Sequence, residues 1–376
     1  MARKRKRPET KSSKPPACLP LDIIYEILLI SPAKAVGRFR CLSKSLYSFL
    51  TDSQFIHRHT LQASDKGEDH RLVPTFLPHL YLINLETAAL VPRKSILAKE
   101  VVQSFKPCWD CRFLGSCNGL LCHYRCPDKF LVSNPLTREY CQVWVHGFGL
   151  GKNPSMVLGF GFDHSSKDYK ILRGWLSRSG GWETQVFSVK NNCWKLVGVQ
   201  ESSALPKTTV VNLPVVSLHG VIHWDANQES NFKSIASFDF VKEELRDIML
   251  PPSDRDQNLV VPSCISALRG RLCMSRQCLQ TQDRTDVWIM EEYGVPESWT
   301  KQLSIELRWN VRDHWVPICH TKNDRIIFQN KKKRGLIVYN PKDKKFIKRR
   351  FPKCLPLDCP YFWMATYVET LVSIKN

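Results

Sequence analysis

Apolar residues near the beginning of the chain recur at the spacing of an amphipathic helix. Ile23, Ile24, Ile27 and Leu28 form a stripe at positions i, i+1, i+4 and i+5. This spacing predicts a helix over about residues 21–29 with one apolar side. That side either packs against the rest of the chain or docks on another protein, and periodicity alone does not decide between the two.

Two further short helices are predicted directly after the first. Ser31 followed by Pro32 is typical of a helix start, because proline at the first helical position needs no N–H partner. Ser43 is placed to cap a third helix, and Asp52 or Ser53 opens a last turn. About forty-five residues in three short helices are too few to form a stable fold alone. We therefore expect them to pack against the rest of the chain or against a partner.

The rest of the chain shows a different pattern, in which an apolar strand, a polar turn and a second strand recur six times. The first residues of these turns lie 49 to 54 positions apart; they are Asn84, Asn134, Ser188, Asp239, Glu291 and Asn340. Further strand patterns between them give about four strands in each unit. The even period predicts an all-β domain that is a six-bladed β-propeller, since a pair of packed sheets would not repeat so regularly. Closure requires a late strand, for which "FWMATYVETLVSI" is the candidate, to pair in the first blade.

The net charge of +20 is concentrated in two segments. Residues 1–16 carry +6 and residues 321–353 carry +11, which leaves the body nearly neutral. The first segment predicts a disordered tail, whose basic run is either solvated or a nuclear import signal; the run consists of Arg3, Lys4, Arg5, Lys6 and Arg7. The basic stretch 330–335 is expected to be a solvated loop, or part of a surface for an acidic partner.

Candidate chemistry along the chain is sparse. Fifteen cysteines in a chain without a secretory signal predict reduced thiols in a cytosolic or nuclear protein. Cysteines around "CWDC" invite a zinc interpretation; they are Cys108, Cys111, Cys117, Cys122 and Cys126. We expect buried thiols instead, because Cys117 and Cys122 are predicted in one strand with opposite orientations. His219 and His223 are expected to be structural, and with no catalytic motif in the sequence we predict neither an enzyme nor a cofactor.

The N-terminal strings "LPLDIIYEIL", "FRCLSKS" and "DSQFIHRH" resemble the F-box motif in its usual order and spacing. The resemblance implies docking onto a Skp-type adaptor and, through it, onto a cullin. Leu19 and Pro20 would enter the adaptor groove. The residues that would build or flank the interface are Ile23, Ile24, Ile27, Leu28, Val36, Cys41 and Leu42. The chain departs from the usual motif over residues 29–32, and it has Leu46 where the family commonly has tryptophan.

A second resemblance covers residues from about 113 to 305. "GSCNGLL", "NPLTRE", "GFGFDHSSKDYKIL", "GVIHW", "SFDFVKEELRDIMLP" and "DVWIMEEYGVPESWTK" resemble the plant F-box-associated domain, type 1. It implies a kelch-like propeller that binds protein substrates. The expected organisation is a tail over 1–16, an F-box over 17–62, a linker over 63–78 and the F-box-associated domain over 79–376.

Together these resemblances imply a non-catalytic, substrate-recognition subunit of an SCF-type (Skp–cullin–F-box) ubiquitin ligase, nuclear or cytoplasmic and without a membrane partner. Such a subunit acts by proximity, since it places substrate lysines near a charged conjugating enzyme. One alternative is a nuclear protein that binds nucleic acid through the basic segments, which steep salt dependence would reveal. Another is an F-box protein that binds the adaptor without promoting ubiquitination.

Overall fold

The structure is a computed structural model, and it describes most of the chain between residues 19 and 374. The described residues are 19–66, 70–74, 80–84, 98–101, 111–125, 129–145, 156–177, 180–201, 215–224, 234–251, 260–278, 284–306, 315–321, 323–330, 335–350 and 364–374. The basic tail with its candidate import signal, Cys108, Cys126 and the basic residues 331–334 lie outside them.

Within the described residues 19–66, four helices form a helical module. They are α1 (Leu21–Ile30), α2 (Ala33–Phe39), α3 (Lys44–Thr51) and α4 (Ser53–Lys66). The Oγ atom of Ser43 accepts a hydrogen bond from the Leu46 backbone N–H at 3.1 Å, as the sequence predicts. Asp52 Oδ1 caps α4 in the same way, through the N–H of Gln54 at 2.9 Å. The three predicted helices are confirmed, while the last turn of the prediction is in fact a helix of 14 residues.

In the described residues, twenty-four strands form six antiparallel four-stranded sheets, the blades of a propeller. Blade 1 contains β1 (His70–Pro74), β2 (Leu80–Asn84), β3 (Ala98–Val101) and β24 (Met364–Val368). Blade 2 contains β4 (Cys111–Cys117), β5 (Leu120–Arg125), β6 (Lys129–Asn134) and β7 (Glu139–Trp144). Blade 3 contains β8 (Met156–Asp163), β9 (Asp168–Leu176), β10 (Trp182–Ser188) and β11 (Cys193–Gln200). Blade 4 contains β12 (Val216–Leu218), β13 (Val221–Trp224), β14 (Ser234–Asp239) and β15 (Glu244–Met249). Blade 5 contains β16 (Val260–Leu268), β17 (Arg271–Cys278), β18 (Arg284–Met290) and β19 (Trp299–Glu306). Blade 6 contains β20 (Trp315–His320), β21 (Ile326–Asn330), β22 (Gly335–Asn340) and β23 (Lys345–Arg350).

The predicted closure by a late strand is confirmed in blade 1. Strand β24, from near the end of the chain, pairs antiparallel with β1, with Leu72 opposite Thr366. Strand β1 lies within the segment 63–78 that the sequence predicted to be a linker, and so does the end of α4. That part of the linker prediction was wrong, because Leu72 and Val73 are fully buried and belong to the propeller.

The turns between the third and fourth strands explain why polar residues recur at the predicted period. In blades 2, 3, 4 and 6 the side chain of the first turn residue accepts a hydrogen bond from a backbone N–H two or three residues later. Four residues after that acceptor the backbone is left-handed, at Arg138, Asn192, Glu243 and Lys344. We call the propeller face that carries these turns, and the turns between first and second strands, the turn face.

The core of the propeller lies between neighbouring blades. Between blades 3 and 4, Trp182 packs with Trp224, Phe238 and Phe240, and all four are almost completely buried. The indole N–H of Trp224 donates to the backbone oxygen of Leu158 at 3.0 Å, so this large side chain also links the two blades through a hydrogen bond. Stacking of blades thus buries the faces that a single sheet would expose.

The helical module sits on the turn face and is held there by the C-terminal segment (369–374). Leu371 of this segment and Leu136 of the blade 2 turn pack into the core of the helices. Lys34 in α2 forms an ion pair of 2.7 Å with Glu369, whose side chain is almost completely buried. Arg71 of β1 reaches the other carboxylate oxygen at 3.0 Å. The last residues of the chain therefore join the helices to the propeller.

Replacing Gly119 by alanine should destabilise the protein by about 2–4 kcal/mol. Gly119 lies in the turn between β4 and β5 at φ +83°, and a Cβ atom there would come within 2.7 Å of Thr370 Cβ in the C-terminal segment. The control is Gly270→Ala, because Gly270 has a similar φ of +71° with nothing within 4 Å of the new atom. That variant should lose only about 1–2 kcal/mol, from the backbone alone. Urea unfolding measures both, and equal losses would show that contact with Thr370 does not matter.

Candidate functional site

The helical module presents an apolar surface that its own core does not use. Helix α1 buries Leu28 and Leu29 against Val36, Leu50 and Phe55. Its other sides and the neighbouring helices leave large apolar side chains more than a third exposed; they are Leu19, Leu21, Ile23, Ile27, Ile30, Phe39, Leu42, Tyr47, Phe49 and Leu61. So many exposed apolar residues on so small a module indicate a protein-binding surface.

The geometry of α1 explains which residues point outward. Pro20 precedes the helix and its backbone oxygen accepts the N–H of Ile24 at 3.1 Å, so the helix begins directly after the proline. From there Ile23, Ile27 and Ile30 follow at i, i+4 and i+7, which places them on one side of the helix. This side faces away from the core of the module, because Leu28 and Leu29 lie on the side that packs into the core.

The structure places the predicted adaptor-binding residues in two different environments. Exposed ones are Leu19, Pro20, Ile23, Ile27, Cys41 and Leu42, and Ile24 is half-buried. Leu28 and Val36, by contrast, are 5% and 0% exposed and belong to the core of the module. Their side chains therefore support the outer surface from within and do not form part of it.

Sequence reasoning missed several residues of this surface. Leu21 is 82% exposed, more than any other large apolar residue in the described part of the chain, and Ile30 and Tyr47 are also exposed. For Ile30 the signal was present, because it continues the i, i+4, i+7 pattern of Ile23 and Ile27. Leu21 and Tyr47 fall outside any single stripe, so only the positions of the helices reveal them.

Hydrogen bonds and aromatic packing fix the helices of the module relative to one another. Arg40 donates from Nε and Nη2 to the backbone oxygen of Leu50 at 3.2 and 2.8 Å, which joins the end of α2 to the end of α3. His59 of α4 is buried, and its Nε2 lies 2.8 Å from the backbone oxygen of Ser31. Tyr25 packs edge-on against both Phe49 and Phe55, with ring centroids 5.4 and 5.6 Å away. These contacts therefore hold the helices that carry the apolar surface in fixed positions.

The histidines that the sequence singled out differ from each other. His223 is buried, with Nδ1 3.0 Å from the Val216 backbone oxygen and Nε2 2.7 Å from the Tyr293 hydroxyl. Burial lowers the pKa of His223 to about 4, so it is neutral and acts as a structural bridge. His219 is exposed and lies in a turn with φ 51°, where its Nε2 contacts the Gly270 backbone oxygen at 2.9 Å. His223 lies in strand β13, whereas His219 lies in the turn that precedes this strand.

The cysteines of the zinc interpretation also need one correction. Cys117 and Cys122 lie in the paired strands β4 and β5, not in one strand, because a turn at Asn118 and Gly119 separates them. Burial raises the pKa of Cys117 to about 11 and that of Cys122 well above its ordinary value, which disfavours the thiolate that zinc requires. Among the described residues there is no group of three or more potential metal ligands. The cysteines described with their side chains are free thiols.

Known proteins resemble this chain in both of its parts. The F-box domain family matches residues 17–58, and the F-box associated beta propeller domain family matches residues 79–374. The F-box protein CPR1 of Arabidopsis thaliana is 27% identical and aligns over 94% of this chain and 88% of its own. An F-box/kelch-repeat protein of Arabidopsis thaliana is 26% identical over 88% of this chain and 90% of its own.

Among solved structures, the propeller domain of Cps50 (Swd1) from Myceliophteria thermophila has a TM-score of 0.41 at 10% identity. That alignment covers 77% of this chain and 84% of the other, a likeness too loose to bear on function. Within the described helices, none is long and apolar enough to cross a membrane. An F-box followed by a propeller, in a chain whose relatives are F-box proteins, supports a non-catalytic role in substrate recognition. Because the propeller match spans most of its length, the chain belongs to the F-box associated beta propeller domain family and carries an F-box domain before the propeller.

Proposed function

We propose that this chain is the substrate-recognition subunit of an SCF-type ubiquitin ligase. In this role the F-box docks on a Skp-type adaptor, and the propeller holds a protein substrate. The observation that carries the proposal is the exposed apolar surface around α1, where Leu19, Ile23 and Ile27 stand outward from a well-packed core. An unpaired apolar surface of this kind gains free energy when a partner covers it.

The role of the propeller is to fix where a substrate lies relative to the F-box. Ion pairs at Glu369 and the packing of Leu371 hold the F-box firmly on the turn face. A substrate bound to the propeller would therefore keep a defined distance from the adaptor and from the conjugating enzyme that the ligase recruits. The rate of ubiquitin transfer then rises through proximity, with no group of this chain at the reacting bond.

The substrate is expected on the face opposite the F-box. Helices cover part of the turn face, whereas the opposite strand ends face away from them. On that opposite side, Trp144 at the end of β7 is 46% exposed, and the Lys129 ammonium lies 4.3 Å above its ring. Aromatic residues with a neighbouring cation are common anchors of protein interfaces.

Replacement of Ile23 by aspartate should abolish docking on the adaptor. Ile23 is about half exposed, so the charged side chain can be solvated and the helix retained, while an apolar contact becomes a buried charge in the complex. Loss of a central anchor costs about 2 kcal/mol or more, so we expect binding to weaken by about 30-fold or more. Titration of the purified chain with a Skp-type adaptor measures this.

The matched control is Leu196→Asp, which places the same change on an exposed apolar residue of β11, in blade 3 of the propeller. It should bind the adaptor as the unchanged chain does. Raising the salt concentration should alter adaptor binding little, since apolar contacts carry it, whereas a nucleic-acid complex would weaken steeply. The proposal fails if the unchanged chain does not bind the adaptor, or if Ile23→Asp binds equally well.

A further inference from the structure

A cleft of about 940 Å³ lies between the F-box and the propeller on the turn face. Its F-box side includes Lys34, Arg38, Arg40 and Tyr47, and its propeller side includes Thr137 and Glu139. Small-molecule sites in proteins usually measure about 300–1,000 Å³, so this cleft is large enough for a ligand that touches both modules.

The lining of this cleft carries more positive than negative charge. Lys34 is already paired with Glu369, which leaves two guanidinium groups and one carboxylate, Glu139. Arg40 is half-buried, and its only described hydrogen-bond acceptor is the neutral Leu50 backbone oxygen. In the part of the chain that the structure describes, neither Arg38 nor Arg40 forms an ion pair.

Two further observations show that this charge is poorly compensated. Burial lowers the pKa of Arg40, with only smaller opposing effects from Tyr47 and Glu139, so its environment disfavours the cation. The Glu139 carboxylate is engaged as well, since its Oε2 accepts the Ile374 N–H at 3.0 Å. An anion entering the cleft would supply the missing negative charge.

The polar groups around the two arginines also suit an anion with several oxygens. Thr137 Oγ1 is buried and has no hydrogen-bond partner among the described residues, although a buried hydroxyl normally has one. Guanidinium groups bind phosphate through two parallel hydrogen bonds, which a single ammonium group does not match.

We propose that this cleft binds a small molecule bearing phosphate groups, held by Arg38 and Arg40 of the F-box and by the Thr137 hydroxyl of the propeller. Because the ligand contacts both modules, it braces their junction and raises the stability of the whole chain. A phosphorylated peptide is the less favoured occupant, since the volume of the cleft is that of a small-molecule site.

The test uses the purified full chain and inorganic tripolyphosphate at physiological ionic strength. Calorimetric titration should show saturable binding of one tripolyphosphate per chain, and the melting temperature should rise with its concentration. The Arg38 side chain is exposed and makes no described polar contact, so Arg38→Ala should fold normally and bind about ten-fold or more weakly. Arg40→Lys keeps the charge but loses guanidinium donors, including those that hold the Leu50 backbone oxygen, and should weaken binding to a smaller extent.

Lys44→Ala is the matched control, because Lys44 is an exposed cation of the same module that does not line the cleft. It should bind tripolyphosphate within about two-fold of the unchanged chain, since a distant exposed charge is largely screened. Absence of saturable binding would overturn the proposal. Equal weakening by Arg38→Ala and Lys44→Ala would do so too, as would tighter binding of a phosphoserine peptide than of tripolyphosphate.

Discussion

Replacing Asn134 by alanine is expected to lower the free energy of unfolding by about 3–5 kcal/mol. Asn134 is fully buried at the turn between β6 and β7. Its Nδ2 atom donates to the backbone oxygens of Thr370 and Val372 at 3.1 and 2.8 Å. Its Oδ1 atom accepts from the Leu136 N–H at 2.9 Å and from the Tyr367 hydroxyl at 3.2 Å. A methyl group replaces none of these bonds.

The same substitution at the equivalent position of blade 6 provides the control. Asn340 is also the first residue of a turn, and its Oδ1 accepts the Lys342 N–H at 3.2 Å. It is only partly buried, and its described side-chain hydrogen bond stays within its own turn. Asn340→Ala should therefore cost about 0.5–1.5 kcal/mol, as the loss of one ordinary hydrogen bond does. Chemical unfolding of both variants by urea, followed by tryptophan fluorescence, compares them directly.

Asn134 should also control the attachment of the F-box to the propeller. The carbonyl groups that it binds flank Leu371, which packs into the core of the helices. In Asn134→Ala the C-terminal segment should detach more often, so limited trypsin digestion should separate the F-box from the propeller sooner than in Asn340→Ala. If Asn134→Ala and Asn340→Ala have equal unfolding free energies and equal digestion rates, Asn134 stabilises only its own turn.

The comparison of Asn134 with Asn340 shows what the sequence could and could not reveal. Both residues mark the start of a repeated turn, and this local role follows from the preference of asparagine side chains for nearby backbone N–H groups. The extra role of Asn134 depends on a segment more than two hundred residues later in the chain. No local pattern encodes such a contact, so the two residues look equivalent in the sequence.

Regular periodicity made the propeller predictable, including its closure. Each repeat must bury its faces against its neighbours, so six repeats with a late strand leave few alternatives. Strand β1 was missed because "HRLVP" is short and polar at one end. Its place in blade 1 depends on pairing with β24, which is again a long-range contact.

The candidate adaptor surface was predictable in kind but not in detail. The stripe of α1 identified the helix, yet Leu28 belongs to the inner side and Leu21, outside the stripe, is exposed. Three short helices can pack in several ways, and only the observed packing decides which apolar residues face outward. The cleft at the junction could not be predicted at all, since it requires the F-box and the propeller to meet.

The stability of the protein should fall steeply when the pH drops from about 6.5 to about 4. His123 and His223 are buried, and burial lowers the pKa of each to about 4. In the unfolded chain a histidine has a pKa of about 6.5, so below that pH the unfolded state binds protons that the folded state does not. The stability that neutral histidines provide is therefore fully present above pH 6.5 and lost as the pH approaches the folded value. At pH 5 the loss should be about 2 kcal/mol for each of these histidines, or about 4 kcal/mol for the two together. His320 adds to this loss, because burial lowers its pKa to about 4 as well.

His123→Phe separates this effect from general acid sensitivity. The His123 ring packs edge-on against Phe113 at 5.3 Å, and its Nδ1 has no hydrogen-bond partner among the described residues. Phenylalanine therefore keeps a ring in the same place and removes the titrating group without breaking a bond at Nδ1. Urea unfolding at pH 7.5 and pH 5 should show a loss about 2 kcal/mol smaller than that of the unchanged chain, because His223 and His320 still titrate. If the variant loses as much stability as the unchanged chain over this range, protonation of His123 does not contribute and the carboxylates that lose their partners in acid must account for the decline.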